Sequence, residues 1–148
     1  MSTRNRIDSF TGGDYFLSNF FPVPVRIGDM VYPTSEHAYQ ALKTNDPNER
    51  AWIAATRTPF QAKTRGRDVT LLSYWEDVKL EVMAEVLREK FRDETLAAQL
   101  IATYPKELVE GNDWHDQYWG DCHCGHCNGP GENMLGELLM TLRDELRT

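Results

Sequence analysis

Apolar residues recur at helical spacing along the second half of the chain. The clearest stripe predicts a helix over 75–91, because residues three and four apart lie on one face of a helix. Two shorter stripes predict helices over about 94–102 and 132–146. The apolar positions of these helices are Trp75, Val78, Val82, Met83, Val86, Leu87, Phe91, Leu96, Leu100, Ile101, Leu135, Leu138, Leu139, Leu142 and Leu146. The second half is therefore expected to be mostly helical.

Helices of the first half are signalled by their start sites rather than by long stripes. Thr34 or Ser35 can cap a helix predicted over 36–44, because a hydroxyl oxygen accepts a hydrogen bond from a free N–H of the first turn. Asp46-Pro47 and Thr58-Pro59 each predict another short helix, since proline at the first helical position loses no hydrogen bond.

Strand signals are fewer and shorter. Two runs of β-forming residues, 20–27 and 30–33, flank Gly28-Asp29 and predict a hairpin. Leu108-Val109-Glu110 predicts one more short strand. The pattern as a whole indicates a helix-rich α+β fold with a small β-sheet, in one domain that spans 1–148.

Composition narrows the functional classes. The chain has 148 residues and a net charge of −7, which disfavours a general binder of the phosphate backbone but permits a small anionic substrate in a pocket with a few cations. No apolar run approaches the roughly 20 residues of a membrane span. The opening MSTRNRIDSF is too polar for a signal peptide. A cytoplasmic protein without a membrane partner is expected.

One helix face gathers groups that could carry chemistry. Glu36, Gln40 and Lys43 lie at i, i+4 and i+7 of the helix predicted over 36–44, so they are expected on one face. The same spacing also suits a solvated Glu–Lys pair, and spacing alone leaves both interpretations open. His37 is expected to be a structural or surface residue rather than a base.

Two polar loops are further candidates. Ser18-Asn19 stands between aromatic residues, and polar loop groups held in an apolar frame are typical ligand contacts. The segment 112–121 holds three Asp and two Trp without apolar periodicity. Its indole rings suit stacking on a flat heterocycle, although Trp114 could equally fill the edge of the core. Asp116 and Trp119 are three apart and could line one pocket.

The cysteines are confined to one short segment. Cys122, Cys124 and Cys127 cannot form a disulfide framework, because one would be left over and the spacing is tight. Reduced thiols and a structural zinc held by the three cysteines and one histidine both remain open. The C-x-C-x-x-C spacing is not that of a standard zinc ribbon. No other cofactor is expected.

Several sequence blocks, in this order, resemble the NADAR (YbiA-like) family over nearly the whole chain. The blocks are FLSNFFP at 16–22, YPTSEHAYQALK at 32–43, TPFQAKTRGR at 58–67, Trp75, Met83, Lys90-Phe91, LVE at 108–110, DQYWGD at 116–121 and ENMLGELLMTLR at 132–143. The segment 122–127 departs from the family pattern, which has a short glycine-rich stretch without cysteines there. The resemblance therefore does not extend to the shape of that loop or to the choice of substrate.

The resemblance implies an N-glycosidase that cleaves the bond between a ribose phosphate and an amine-bearing heterocycle. Its substrates would be riboflavin-pathway intermediates or, alternatively, ADP-ribosylated guanine in DNA. A non-catalytic module that binds ADP-ribose or NAD is a third interpretation, which intact Glu36, Lys43 and Asp116 disfavour.

The resemblance also implies the site residues. Glu36 and Asp116 match the family carboxylates, and the work of stabilising the anomeric cation or activating water falls to one of them. Lys43 is a general acid or a Schiff-base amine. The substrate contacts implied by the family blocks and the loops are Ser18, Asn19, Gln40, Lys63, Arg67, Trp75, Trp119 and Asn133. Lys63, Arg65 and Arg67 form the cluster expected to hold the phosphate, unless they are merely a solvated helix end.

Overall fold

The structure of the chain is a computed structural model that describes residues 5–148. Its contacts divide the chain into two compact units. The central unit is 19–92, and the terminal unit combines the described residues 5–18 with 93–148. No helix among the described residues has the length and apolar character needed to cross a membrane.

The described residues confirm the helix-rich α+β prediction. The central unit contains α1 (Ser35–Ala41), α2 (Pro47–Ala54), α3 (Pro59–Arg65) and α4 (Trp75–Lys90). The terminal unit contains α5 (Glu94–Ala102), α6 (Met134–Leu146) and a 3-10 helix over Gly12–Leu17 that the pattern did not predict.

The strands form three two-stranded sheets in the described part of the chain, where one small sheet was expected. The predicted hairpin is present as β2 (Val25–Ile27) antiparallel to β3 (Met30–Tyr32). In the terminal unit β1 (Arg6–Ile7) runs parallel to β4 (Glu107–Leu108), and β5 (Gly111–Asn112) runs parallel to β6 (Asp121–Cys122). The strand predicted over 108–110 is thus shifted, because its pairing partner Arg6–Ile7 ends the ladder at Leu108.

Side-chain caps start the helices where the sequence placed them. The Thr34 hydroxyl oxygen accepts the His37 N–H at 3.1 Å. Asp46 and Thr58 accept from Asn48 and Gln61 in the same way, at 2.8 and 3.1 Å. Each cap satisfies a donor that the helix itself cannot pair, which typically contributes about 1 kcal/mol.

Helix α1 is shorter than predicted and ends at Ala41 instead of residue 44. The N–H groups of Lys43 and Thr44 donate to the carbonyls three residues earlier, of Gln40 and Ala41, both at 3.3 Å. The chain therefore tightens into a turn, so Lys43 follows the helix rather than completing its face.

The core of the central unit forms around α1, whose seven residues are all buried. Aliphatic and aromatic side chains from the hairpin, α2, α3 and α4 pack against it, and a fully buried valine or isoleucine among them contributes about 1.5–3 kcal/mol. The buried cluster consists of Val25, Tyr32, Ala38, Ala41, Ile53, Ala62 and Val86. A helix this deeply buried presents its polar residues to the protein and not to bulk water.

The terminal unit is built on α6 packed against α5 and β4. Leu100, Leu108, Leu135 and Leu139 are fully buried there. Arg143 is buried as well, and its guanidinium donates to the Thr103 hydroxyl at 3.0 Å and to the Lys106 carbonyl at 2.7 Å. These two bonds pair one terminal nitrogen of the buried charge, whereas the buried Arg143 Nε has no hydrogen-bond partner.

Candidate functional site

Glu36 is a buried carboxylate in the first turn of α1, with 8% of its surface exposed. Its backbone N–H donates to the Asn19 carbonyl at 3.0 Å, which fixes the start of the helix against the loop before it. The helix dipole favours a negative charge at this position. The alternative interpretation, a solvated Glu–Lys pair, is wrong, because this face of α1 is buried inside the central unit.

Gln40 orients the Glu36 carboxylate. Its side-chain amide donates to Glu36 Oε2 at 2.6 Å, as the i, i+4 spacing predicted. Gly66 packs directly on Gln40: a methyl group at Gly66 would lie 2.7 Å from Gln40 Cδ and overlap the amide oxygen. A side chain at position 66 would therefore displace the group that holds the carboxylate.

Lys43 lies close to Glu36 although it follows the helix. Burial lowers the pKa of Lys43, and the nearby Glu36 carboxylate partly offsets that effect by raising the pKa. The positive charges of Arg67, Lys63 and Lys79 lower the Lys43 pKa further. Its ammonium nitrogen is 5.6 Å from the centroid of the Tyr39 ring. The structure thus brings a carboxylate and a destabilised ammonium together in the central unit.

The positive charges around Lys43 differ from the predicted set. Lys63 and Arg67 are close enough to act on Lys43. Arg65 instead donates to the Trp52 carbonyl at 2.6 Å and lies 4.7 Å over the Trp52 ring, which is a structural role. Lys79, absent from the prediction, is the additional cation, and it also pairs with Glu76 at 2.8 Å.

Asn19 of the first polar loop supports α1. Asn19 is buried, its carbonyl receives the Glu36 N–H, and its side-chain amide lies 3.4 Å from the Met83 sulfur. Ser18, in the terminal unit, is half-buried, and its N–H donates to the Tyr15 carbonyl at 2.9 Å.

Trp75 is buried in the central unit, with 4% of its surface exposed. Its ring contacts the Tyr39 ring at a centroid distance of 5.4 Å. Trp75 therefore supports the aromatic ring beside Lys43, and its burial does not favour direct stacking on a ligand.

His37 has the structural role that the sequence favoured. Its Nε2 is 3.2 Å from the Thr56 carbonyl, which can only accept, so Nε2 carries the proton. Its Nδ1 therefore accepts from the Thr34 hydroxyl at 2.8 Å. Burial lowers the pKa of His37, and the bond to Thr56 opposes this.

In the terminal unit, Asp116 closes a turn of the 112–121 loop. Its Oδ1 accepts the N–H groups of Tyr118 at 3.1 Å and Trp119 at 2.9 Å. Asn112, which the sequence did not single out, fixes the backbone of Asp116. The Asn112 side-chain amide accepts the Asp116 N–H at 3.1 Å and donates to the Asp116 carbonyl at 2.9 Å. The loop is ordered by side-chain to backbone bonds, which leave no periodic trace in a sequence.

The aromatic residues of this loop are arranged unequally. Trp119 is half-buried, and its ring meets Tyr118 edge to face at 4.7 Å. Trp114 is 58% exposed and does not fill the edge of the core.

Asn133 fastens α6 to the strand before the loop. Its Oδ1 accepts the Glu110 N–H and its Nδ2 donates to the Leu108 carbonyl, both at 2.9 Å. The residue adopts a left-handed conformation, φ 53°, which asparagine tolerates better than most residues. Its amide thus binds two backbone groups, and its predicted contact with a substrate stays a prediction.

Three buried polar atoms near Glu36 have no hydrogen-bond partner: Asn19 Oδ1, Ser35 Oγ and Gln40 Oε1. Buried atoms of this kind are rare and costly, and they often mark sites where a ligand completes the bonding. Sequence patterns could not have identified them, because the lack of a partner is visible only in the folded structure.

Comparison with known proteins defines the class. The NADAR domain matches residues 9–147. The chain is 44% identical over 140 residues to N-glycosidase YbiA of Escherichia coli, covering 92% of this chain and 84% of that protein. The solved structure of Escherichia coli YbiA matches 96% of this chain and 83% of its own, with a TM-score of 0.82 and 39% identity. The chain belongs to the NADAR family, as its sequence blocks predicted.

Two further relatives carry related names. An N-glycosidase of Nostoc punctiforme is 36% identical over 136 residues, covering 88% of this chain and 85% of that protein. A riboflavin biosynthesis protein of Vibrio vulnificus is 38% identical over 135 residues. That match covers 89% of this chain but 35% of the relative, so this chain corresponds to one part of a longer protein.

Proposed function

We propose that this chain is an N-glycosidase that hydrolyses the C–N bond between a phosphorylated ribose and an amine-bearing heterocycle. Water adds to the anomeric carbon, the bonding electron pair leaves with the heterocycle nitrogen, and that nitrogen takes up a proton. The supporting observation is the buried Glu36 carboxylate, held by Gln40 beside a lysine of lowered pKa. The N-glycosidase names of relatives that match along most of their length support the same reaction.

Glu36 suits the charge that develops when such a bond breaks. Cleavage of a ribosyl C–N bond builds positive charge at the anomeric carbon, and an adjacent carboxylate stabilises it or activates the attacking water. The Gln40 hydrogen bond fixes the orientation of the carboxylate before substrate arrives. A group that is already oriented needs little reorganisation during the reaction.

Lys43 has two chemically distinct roles that fit its environment. As an ammonium group with a lowered pKa it is a stronger acid, able to protonate the departing nitrogen. As a neutral amine it can attack the aldehyde of the ring-opened sugar and form a Schiff base. Burial of Lys43 and the nearby charges of Arg67, Lys63 and Lys79 favour both roles, because each lowers the pKa.

The same cations suit the phosphate of the substrate. The charges of Arg67, Lys63 and Lys79 are close enough to Lys43 to lower its pKa. A small anion can be attracted by such a local cluster even though the chain as a whole has a net charge of −7. We assign the phosphate group of the substrate to this cluster.

Asp116 is the second carboxylate that the family resemblance assigns. Its Oδ1 is occupied by two backbone N–H groups, which hold the side chain in one orientation. Trp119 follows in the same turn, and we assign it to stacking on the heterocycle.

Riboflavin-pathway intermediates are the substrates we propose first, because a riboflavin biosynthesis protein is among the relatives. ADP-ribosylated guanine in DNA is the second candidate, since a cluster of cations also suits a diphosphate.

The test is to incubate the purified chain separately with a riboflavin-pathway ribose phosphate and with ADP-ribosylated guanine DNA, and to measure released heterocycle and sugar by chromatography. Release from the first substrate alone supports the proposal. Release from the DNA alone transfers the activity to the second candidate. Turnover of neither, with tight ADP-ribose binding, would indicate a non-catalytic binding module.

A further inference from the structure

Four metal-binding side chains converge in the terminal unit. The ligand atoms of His115, Cys122, Cys124 and Cys127 all lie within 4.8 Å of one another. The His115 Nδ1 atom is 3.2 Å from the sulfur of Cys127, 3.5 Å from that of Cys124 and 3.7 Å from that of Cys122. The sulfurs of Cys124 and Cys127 are 3.7 Å apart.

These separations match four of the six edges of a tetrahedron sized for zinc. Bonds of about 2.3 Å to sulfur and about 2.0 Å to nitrogen, at tetrahedral angles, place two sulfurs about 3.8 Å apart and a sulfur and a nitrogen about 3.5 Å apart. The four edges, 3.2 to 3.7 Å, agree with these values to within about 0.3 Å. Three thiolates and one imidazole are also a common ligand set for structural zinc.

The backbone around the cysteines has the form of a metal-binding turn. The His126 N–H donates to the Cys124 sulfur at 3.3 Å, a bond that supports a thiolate ligand from its second shell. Gly125 between them has φ 84°, which a residue with a side chain rarely adopts. His115 also has a positive φ, 69°, which is uncommon outside glycine, and its imidazole reaches the thiols from an earlier part of the same loop.

We propose that His115, Cys122, Cys124 and Cys127 bind one structural zinc ion. Four protein ligands complete a tetrahedral shell and leave no position open for water or substrate, which distinguishes a structural zinc site from a catalytic one. The three thiols are free in the structure, so all are available as ligands.

The structure also selects which histidine takes part. Three histidines, His115, His123 and His126, lie in or near the cysteine segment. The His123 Nε2 atom is directed to the Asp121 carboxylate at 3.5 Å, and the side chain is 43% exposed. His126 contributes its backbone N–H. His115, which precedes the first cysteine by seven residues, supplies the imidazole ligand.

The metal would join two parts of one loop. His115 directly precedes Asp116, whereas the cysteines follow Trp119 and Gly120. Zinc therefore closes the turn that holds Asp116 and Trp119 from both sides. Gln117 supports the same closure, since its amide accepts the Cys122 N–H at 2.6 Å and donates to the Gly129 carbonyl at 3.0 Å.

The direct test is the metal content of the full chain, purified under reducing conditions without an affinity tag that binds metal. Mass spectrometry of the elements should find one zinc per chain. Cys124→Ser and His115→Ala should each lower the zinc content at least tenfold, whereas the matched control His126→Ala should retain it.

A second measurement covers variants that fail to fold. Wild-type chain stripped of metal and titrated with Co²⁺ should develop the intense visible bands of tetrahedral thiolate coordination, with a midpoint at one equivalent. Stoichiometric zinc in His115→Ala, a disulfide in the freshly purified chain, or no zinc and no cobalt spectrum would each overturn the proposal. These readouts do not involve turnover, so they are independent of the proposed N-glycosidase activity.

Discussion

Glu36 and Asp116 are held in place by different kinds of structure. Glu36 stands on α1, where a threonine cap, an i, i+4 glutamine and a buried helix face determine its position. Asp116 stands in an irregular loop, where Asn112 and two backbone N–H groups determine its position. The position of a carboxylate on a helix is set by the repeating geometry of the helix. The position of a carboxylate in a loop depends on individual contacts, and each of these contacts can be broken separately.

Glu36→Gln should cause the largest loss. The substitution removes the charge and keeps an oxygen that can accept from Gln40, so the helix should fold unchanged while kcat falls about 10²–10⁴-fold. The exposed α4 substitution Glu81→Gln is the control and should leave kcat within twofold. Steady-state kinetics on the ribose phosphate substrate, with circular dichroism of each variant, checks both. Full activity of Glu36→Gln would remove Glu36 from the mechanism.

Asp116 should respond differently to two substitutions. Asp116→Asn keeps an oxygen that can accept both N–H groups, so activity should fall by a similar factor of about 10²–10⁴ with little change in melting temperature. Asp116→Ala should in addition lose about 1–2 kcal/mol of stability, because the turn loses its cap. Kinetics and urea denaturation separate the two effects. Equal stability of the two variants would show that the turn does not need the carboxylate oxygen.

The pH profile of kcat/KM should distinguish the two roles of Lys43, whose pKa is lowered chiefly by burial. A general acid must be protonated, so activity would fall as pH rises through the lowered pKa. A Schiff-base amine must be neutral, so activity would fall as pH drops through it, and borohydride would trap a covalent adduct. Lys43→Met should abolish the corresponding limb of the profile. An unchanged profile in Lys43→Met would exclude both roles.

Gly66→Ala should produce a smaller loss that acts through Gln40. The added methyl group would collide with the Gln40 amide and shift the carboxylate it holds, so we expect kcat to fall about 10–100-fold. Gly13→Ala is the control, because a methyl group there meets nothing within 4 Å. Kinetics of the two variants, together with their melting temperatures, shows whether the loss is positional or a loss of folding.

The smallest effect should come from His37, which supports α1 from inside. Its pKa is lowered in the folded state, so the unfolded chain binds the proton at a higher pH. Its contribution to stability is therefore complete above the ordinary pKa of about 6.5 and declines as the pH falls below that value towards the folded pKa. Urea denaturation at pH 7.5 and 5.5 should show a smaller pH-dependent loss in His37→Gln than in the wild type. An equal loss in both would assign the pH dependence to other groups.

The same contrast explains what the sequence could predict. Thr34, Asp46 and Thr58 marked their helix starts because capping is local, and the stripe from Trp75 marked α4 because burial repeats with the helical period. The family blocks identified Glu36, Lys43 and Asp116 as candidates. The predicted end of α1 was wrong because the chain tightens into a turn after Ala41, and no residue pattern indicates such a turn.

Features that depend on distant or irregular contacts could not be predicted from the sequence. Strand β1 pairs with β4 about a hundred residues later, and each has two residues, too few to show any alternation. Lys79 entered the cation cluster only through the packing of α4, and Asn112 and His115 gained their roles from the shape of a loop. Such residues become visible when three-dimensional proximity replaces spacing along the chain.

The three buried oxygens near Glu36 that have no hydrogen-bond partner also affect the stability of the folded protein. Each leaves the folded state locally frustrated by about 1–3 kcal/mol relative to a bonded atom. A ligand that donates hydrogen bonds to them would bind the folded chain and not the unfolded one, and would raise its melting temperature. Substitutions that remove these oxygens would stabilise the central unit, but they would also remove the groups to which such a ligand could bind. Greater stability would then come at the expense of ligand binding.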